Sequence, residues 1–129
     1  MEKLVIKETE KTPAIDFNFQ SGKLLVSGRS YSSDAFDFYK PIIEWLNKYI
    51  QNPNETTILE VNVDYFHSVS IKYLTTIVKK IAQLQEVGKS IKVIWLHQSD
   101  ENDEDEAFEL GKSIEAEAKI KFEFVEIAS

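Results

Sequence analysis

The stretch Thr57-Ile58-Leu59-Glu60-Val61-Asn62-Val63-Asp64-Tyr65-Phe66-His67-Ser68-Val69-Ser70-Ile71-Lys72 decides the fold. Leu59, Val61 and Val63 alternate with Glu60, Asn62 and Asp64, the period-two pattern of a strand with one apolar and one wet face. His67-Ser68 reads as a turn. Beyond it, Ile71, Leu74, Ile77, Val78, Ile81 and Leu84 recur at three- and four-residue spacing. That stripe predicts an amphipathic helix from about Ser70 to Val87, with Gly88 suited to its C′ position. A strand that runs straight into a helix opens a crossover to a parallel neighbour, and Ile91 to His97 is the apolar run that supplies one.

The same alternation of periods extends in both directions. Upstream, Leu4 to Lys7 is a short strand. Ile15, Phe17 and Phe19 alternate with Asp16 and Asn18, and Gln20-Ser21-Gly22-Lys23 turns the chain into a return strand from Lys23 to Ser27. Ser32-Ser33-Asp34 offers an N-cap to a helix carrying Ala35, Phe38, Tyr39, Ile42, Trp45, Leu46 and Tyr49. Pro41 falls inside it as a kink or a fresh first turn, and Asn52-Pro53-Asn54 ends it. Downstream, the acidic run Asp100 to Glu106 leads into a helix with Ala107, Leu110, Ile114 and Ala118, and Ile120 to Ile127 is the last strand. The predicted order is β-β-β-α-β-α-β-α-β, an α/β domain. Right-handed crossovers place its helices on one face of a mixed sheet, the architecture of STAS and anti-sigma-factor-antagonist domains.

The 129 residues fit a single domain, and an apolar content of 43% is enough for a packed core. The net charge of −7 argues against nucleic acid and anionic membrane surfaces as partners. With no cysteine, disulfides, thiolate nucleophiles and thiolate zinc sites are excluded. Met1 to Ile6 is too short and too charged for a signal peptide. No apolar run approaches the roughly 20 residues that span a bilayer, so a cytoplasmic protein is expected.

Few residues stand out as catalytic. The acidic run lacks the glycine and the twelfth carboxylate of a calcium loop and reads as a solvated helix start. His67 and His97 have no complementing ligands at a recognisable spacing, so no metal or cofactor is expected. Gly22 to Gly28 lacks the lysine and hydroxyl of a phosphate loop. Arg29 is the only arginine. It is suited to contact a phosphate or partner bidentately, although an ion pair or capping role within the Gly-Arg-Ser-Tyr turn is the plainer reading. Phe36, Phe38, Tyr39, Trp45 and Tyr49 cannot all share one helix face, so Phe36 and part of Tyr39 are expected at the surface, as for a docking region.

Several segments together resemble the SiaC family of regulatory phosphoproteins. They are Thr12-Pro13-Ala14-Ile15-Asp16-Phe17, Gly22 to Tyr31, Phe38-Tyr39-Lys40-Pro41 with Trp45-Leu46 and Tyr49, Val93-Ile94-Trp95, and Glu109-Leu110-Gly111. The resemblance covers nearly the whole chain in one order. It implies a STAS-like, non-enzymatic partner switch. A Ser/Thr kinase phosphorylates a hydroxyl at the start of the second helix, and a PP2C-type phosphatase restores it. The unmodified form binds a signalling enzyme, in the best-known system a diguanylate cyclase. The family's acceptor segment resembles Asn-Thr-Ser-Ser-x-Lys, and here the matching stretch is His67-Ser68-Val69-Ser70-Ile71-Lys72. Ser68 takes the threonine's place, Ser70 and Lys72 match, and His67 and Val69 depart. Ser68 is therefore the expected acceptor, with Ser70 as the alternative. His67, Val69, Lys72, Arg29, Tyr31, Phe36 and Tyr39 are the expected partner contacts. Two further readings stand beside it: an ordinary anti-sigma-factor antagonist, and a small-ligand or metal-binding enzyme domain.

Overall fold

A computed structural model of the chain describes residues 2–98 and 106–127. The strands are β1 (Leu4–Ile6), β2 (Ala14–Asn18), β3 (Lys23–Ser30), β4 (Thr56–Phe66), β5 (Ser90–Gln98) and β6 (Glu123–Ile127). Three helices interleave with them: α1 (Ala35–Tyr49), α2 (Ser68–Ala82) and α3 (Glu106–Ala118), with a 3-10 turn over Gln83–Val87 after α2. The six strands form one sheet in chain order. β1, β2 and β3 are antiparallel neighbours, and β3 through β6 are parallel.

Each parallel step adds a strand on the same side of the last, so right-handed crossovers put α1, α2 and α3 on the same face. Ile15, Phe17, Leu24, Val26, Leu59, Val61, Val93 and Trp95 point to that face and are fully buried. Each stabilises the fold by roughly 1.5–3 kcal/mol through the apolar surface it removes from water. The opposite face carries Asp16, Glu60, Asn62 and Lys92 among half-buried Leu25, Ile58 and Ile94.

Several boundaries differ from the sequence reading. β3 runs to Ser30, three residues further than expected, because its pairing with β4 continues through a bulge. Gly28 pairs with Val63 but Arg29 pairs with Tyr65, so Asp64 is the extra residue. Gly28 has φ 126°, where any other residue is strained, and a Cβ there would sit 2.5 Å from Glu8 Oε2, so the Glu8 carboxylate would have to move. α1 runs unbroken through Pro41. Asp34 is its N-cap residue but makes no side-chain capping bond; its own N–H instead donates to the Ser32 hydroxyl oxygen at 3.1 Å. α2 begins at Ser68, two residues earlier than predicted, and the last strand begins at Glu123 instead of Ile120. The acidic run, apart from Glu106, lies outside the described residues.

Candidate functional site

β3 and β4 end side by side at Ser30 and Phe66, and the chain turns into α2 with His67 as the only intervening residue. His67 has extended backbone (φ −93°, ψ 159°) and no side-chain capping bond. The helix start is instead held from beneath by Ser30. Its carbonyl oxygen accepts the His67 N–H at 3.0 Å and the Ser70 hydroxyl at 2.6 Å. Its own hydroxyl donates to Ser70 Oγ at 2.8 Å. With that proton committed, the 2.6 Å contact between Tyr39 and Ser30 is donated by the tyrosine. One directional chain therefore runs from Tyr39 through Ser30 and Ser70 back to the Ser30 carbonyl, and all three side chains are buried.

This network holds two of the expected site residues beneath the surface. Ser70 is 1% exposed and its hydroxyl is already donating and accepting, so it is a structural pin and presents nothing to a kinase. Tyr39 is also 1% exposed, and its ring stacks on Tyr73 at 5.1 Å. Burial pushes its phenol up to about 12, with the Ser30 hydrogen bond pulling the other way. The expectation that part of Tyr39 reaches the surface is therefore corrected. The helical stripe that buries Ile42 and Leu46 carries Tyr39 inward with them.

Ser68 is different. It is exposed, it is the first residue of a 15-residue helix, and its hydroxyl has no hydrogen-bond partner among the described residues. No acidic residue stands in the first turn of α2. The unpaired N–H groups and positive dipole end of that turn thus have no carboxylate to answer them. Val69 is 54% exposed beside it, and Lys72 lies exposed one turn along with Nζ 5.6 Å from the Tyr73 ring centroid.

The ends of β3 and β4 extend this surface. A cleft of about 350 Å³ is lined by Arg29, Tyr31, Tyr65, Phe66 and His67. Tyr31 meets the His67 ring edge-on, with centroids 5.9 Å apart. The Arg29 guanidinium carbon lies 5.3 Å from the Tyr65 ring centroid. Arg29 makes no ion pair and caps no helix among the described residues, contrary to the plainer sequence reading. The structure thus brings Arg29, Tyr31, His67, Ser68 and Val69 to one end of the sheet. Phe36, near the start of α1, is 61% exposed as expected.

Tyr65, also 61% exposed, was missed. Strict alternation from Val63 turns it inward, and the Asp64 bulge turns it out. The available signal was the Tyr65-Phe66 pair itself, since adjacent strand residues place only one ring inside.

Among the described residues no three His, Cys, Asp or Glu side chains cluster as a metal site. Among the same residues no helix is long and apolar enough to cross a membrane.

Comparison with known proteins agrees with the fold. An uncharacterized protein of Pseudomonas aeruginosa is 25% identical over 95 residues, which is 74% of this chain and 75% of the relative. The crystal structure of apo-SiaC from Pseudomonas aeruginosa superposes with a TM-score of 0.83 at 22% identity, covering 96% of this chain and 98% of the other. SiaC in the crystal structure of the diguanylate cyclase SiaD with its activator SiaC, from the same organism, superposes with a TM-score of 0.81 at 23% identity, covering 98% and 99%. The SiaC family regulatory phosphoprotein profile matches residues 6–127, and the chain belongs to that family.

Proposed function

We propose that this chain is a cytoplasmic, non-catalytic partner protein of STAS-like type that binds and controls a diguanylate cyclase and is switched by phosphorylation of Ser68. The related Pseudomonas aeruginosa SiaC, the activator of the cyclase SiaD, supports the partner class. The observation that carries the switch is the exposed Ser68 hydroxyl at the mouth of α2, without a hydrogen bond among the described residues and with no acidic neighbour in the first turn. A phosphate there adds close to two negative charges and is welcomed by the helix end, so the fold tolerates it. A partner seated over Ser68, Val69, His67 and Tyr31 would have to strip that phosphate of water or face it with its own charge. The penalty is several kcal/mol, and each 1.4 kcal/mol costs tenfold in affinity. A Ser/Thr kinase adds the group and a PP2C-type phosphatase removes it. Lys72 and Phe36 extend the docking surface.

The test is co-purification of the tagged full-length chain from its host, followed by titration of the recovered partner. A GGDEF-type cyclase that binds wild type and Ser68→Ala, but binds Ser68→Asp at least tenfold more weakly, is the expected result. Equal binding by all three forms rejects the switch. Recovery of a sigma-factor regulator in place of a cyclase favours the ordinary anti-sigma-factor-antagonist role.

A further inference from the structure

We infer that the cleft between Arg29, Tyr31, Tyr65 and His67 receives an aspartate or glutamate side chain of the partner protein, with Arg29 as its counter-charge. The inference rests on the partner-protein reading above and names the chemistry of one contact in it.

Three observations converge on this cleft. Arg29 is the sole arginine of a chain with net charge −7, it is exposed, and no carboxylate lies within ion-pair distance of it among the described residues. The exposed neighbour Asp64 and Glu8, which lies against Gly28, leave it unpaired. The guanidinium is also held in place. The bulge at Asp64 brings Arg29 and Tyr65 into register on the same side of the sheet, and the guanidinium lies against the Tyr65 ring at 5.3 Å. A guanidinium held on an aromatic face keeps its N–H fork free and loses little freedom when a carboxylate binds.

The walls fit the same ligand. Tyr31 and His67, edge-on to one another, also line the cleft and offer ring surface against which the methylene stem of an acidic side chain would pack. Arg29 is the one permanently charged side chain lining the cleft, and a single guanidinium balances the single charge of a carboxylate. The cleft also adjoins the switch, because His67 is both its wall and the residue before Ser68. A phosphate on Ser68 therefore sets negative charge beside the place where the partner's carboxylate would sit.

The experiment titrates the co-purified cyclase into the full chain carrying Arg29→Gln, Arg29→Lys or Arg29→Glu, at low and high salt, with matched melting curves as the folding control. Arg29→Gln is expected to weaken binding about tenfold and to flatten its salt dependence, Arg29→Glu to weaken it further, and Arg29→Lys to recover part of the loss. Binding of Arg29→Gln within twofold of wild type, while Ser68→Asp still disrupts the complex, overturns this inference and leaves the switch standing. Recovery of cyclase binding by phosphorylated Arg29→Gln, with the unmodified form unaffected, shows that the guanidinium serves the chain's own phosphate, and also overturns it. If Ser68→Asp and Arg29→Gln both bind as wild type does, the functional reading itself fails.

Discussion

Ser70 donates its hydroxyl proton to the Ser30 carbonyl at 2.6 Å and accepts the Ser30 hydroxyl proton at 2.8 Å, a reciprocal pair joining the end of β3 to the first turn of α2. Two serines 40 residues apart thereby fix where the helix starts, and the Tyr39 hydroxyl completes the chain at 2.6 Å. Ser70→Ala leaves the Ser30 hydroxyl without its acceptor and strips its carbonyl of one donor. A loss of about 1–3 kcal/mol is expected, read as a lower urea midpoint with unchanged slope. Under the proposed switch, phosphate incorporation by a Ser/Thr kinase is expected to persist in Ser70→Ala and to disappear in Ser68→Ala. Mass spectrometry of the two variants separates them, and phosphate on Ser70 in any form counts against the assignment.

The buried phenol gives a pH signature. Tyr39 is held up to about 12 in the folded chain, against about 10 when unfolded. Below pH 10 both states keep the proton and the term is constant. Between about pH 10 and 12 the unfolded state releases it and the folded state does not, so stability falls as pH rises through that window. Tyr39→Phe removes this contribution. Denaturation midpoints of wild type and Tyr39→Phe, compared from pH 8 to 11.5, should run parallel below pH 10. Above it the wild type should lose on the order of 2 kcal/mol more than the variant.

Gly28 sits where β3 meets both the bulge and the Glu8 side chain. Gly28→Ala must adopt φ near 126° and displace Glu8 Oε2 from 2.5 Å, so a cost above about 1 kcal/mol is expected. Glu8→Ala in the same chain relieves the collision but not the backbone strain. Partial rescue in a double-mutant cycle is the expected outcome, and full rescue shows that sterics alone were at stake.

Gly111 on α3 has a tighter constraint. A Cβ there would lie 2.6 Å from Trp95 Nε1 and 2.8 Å from Phe124, and Trp95 Nε1 donates to the Ala107 carbonyl at 2.8 Å. Gly111→Ala overpacks this contact and should destabilise by about 1–3 kcal/mol, with a changed tryptophan emission as the indole bond is disturbed. An unchanged spectrum and melting temperature would show that α3 moves away from the sheet without loss.

The alternations in β2 and β4 and the stripes of α1 and α2 were legible because each element buries one face, and residue period records that directly. Element ends were not. The Gly-Arg-Ser segment at the end of β3 reads as a turn locally, and it becomes strand only because β4 lies beside it. His67-Ser68 likewise reads as a turn, but the Ser30 carbonyl catches the His67 N–H and lets α2 begin at once. The placement of Ser68 followed from the family resemblance. The burial of Ser70 is tied to Ser30 by a contact spanning 40 residues that no local pattern encodes, whereas Tyr39 goes inward with the α1 stripe to which it belongs. Tyr65 was lost to a one-residue bulge, which reverses the facing of everything after it.

The hydroxyl chain under the turn has one further consequence. Its hydroxyl protons are committed to one another and to the Ser30 carbonyl among buried side chains, which holds the turn under Ser68 in place. The phosphate proposed for Ser68 is therefore expected to change what the surface repels without altering its shape. Unmodified and modified forms of this chain should superpose, and whatever moves when the signal is read moves in the partner.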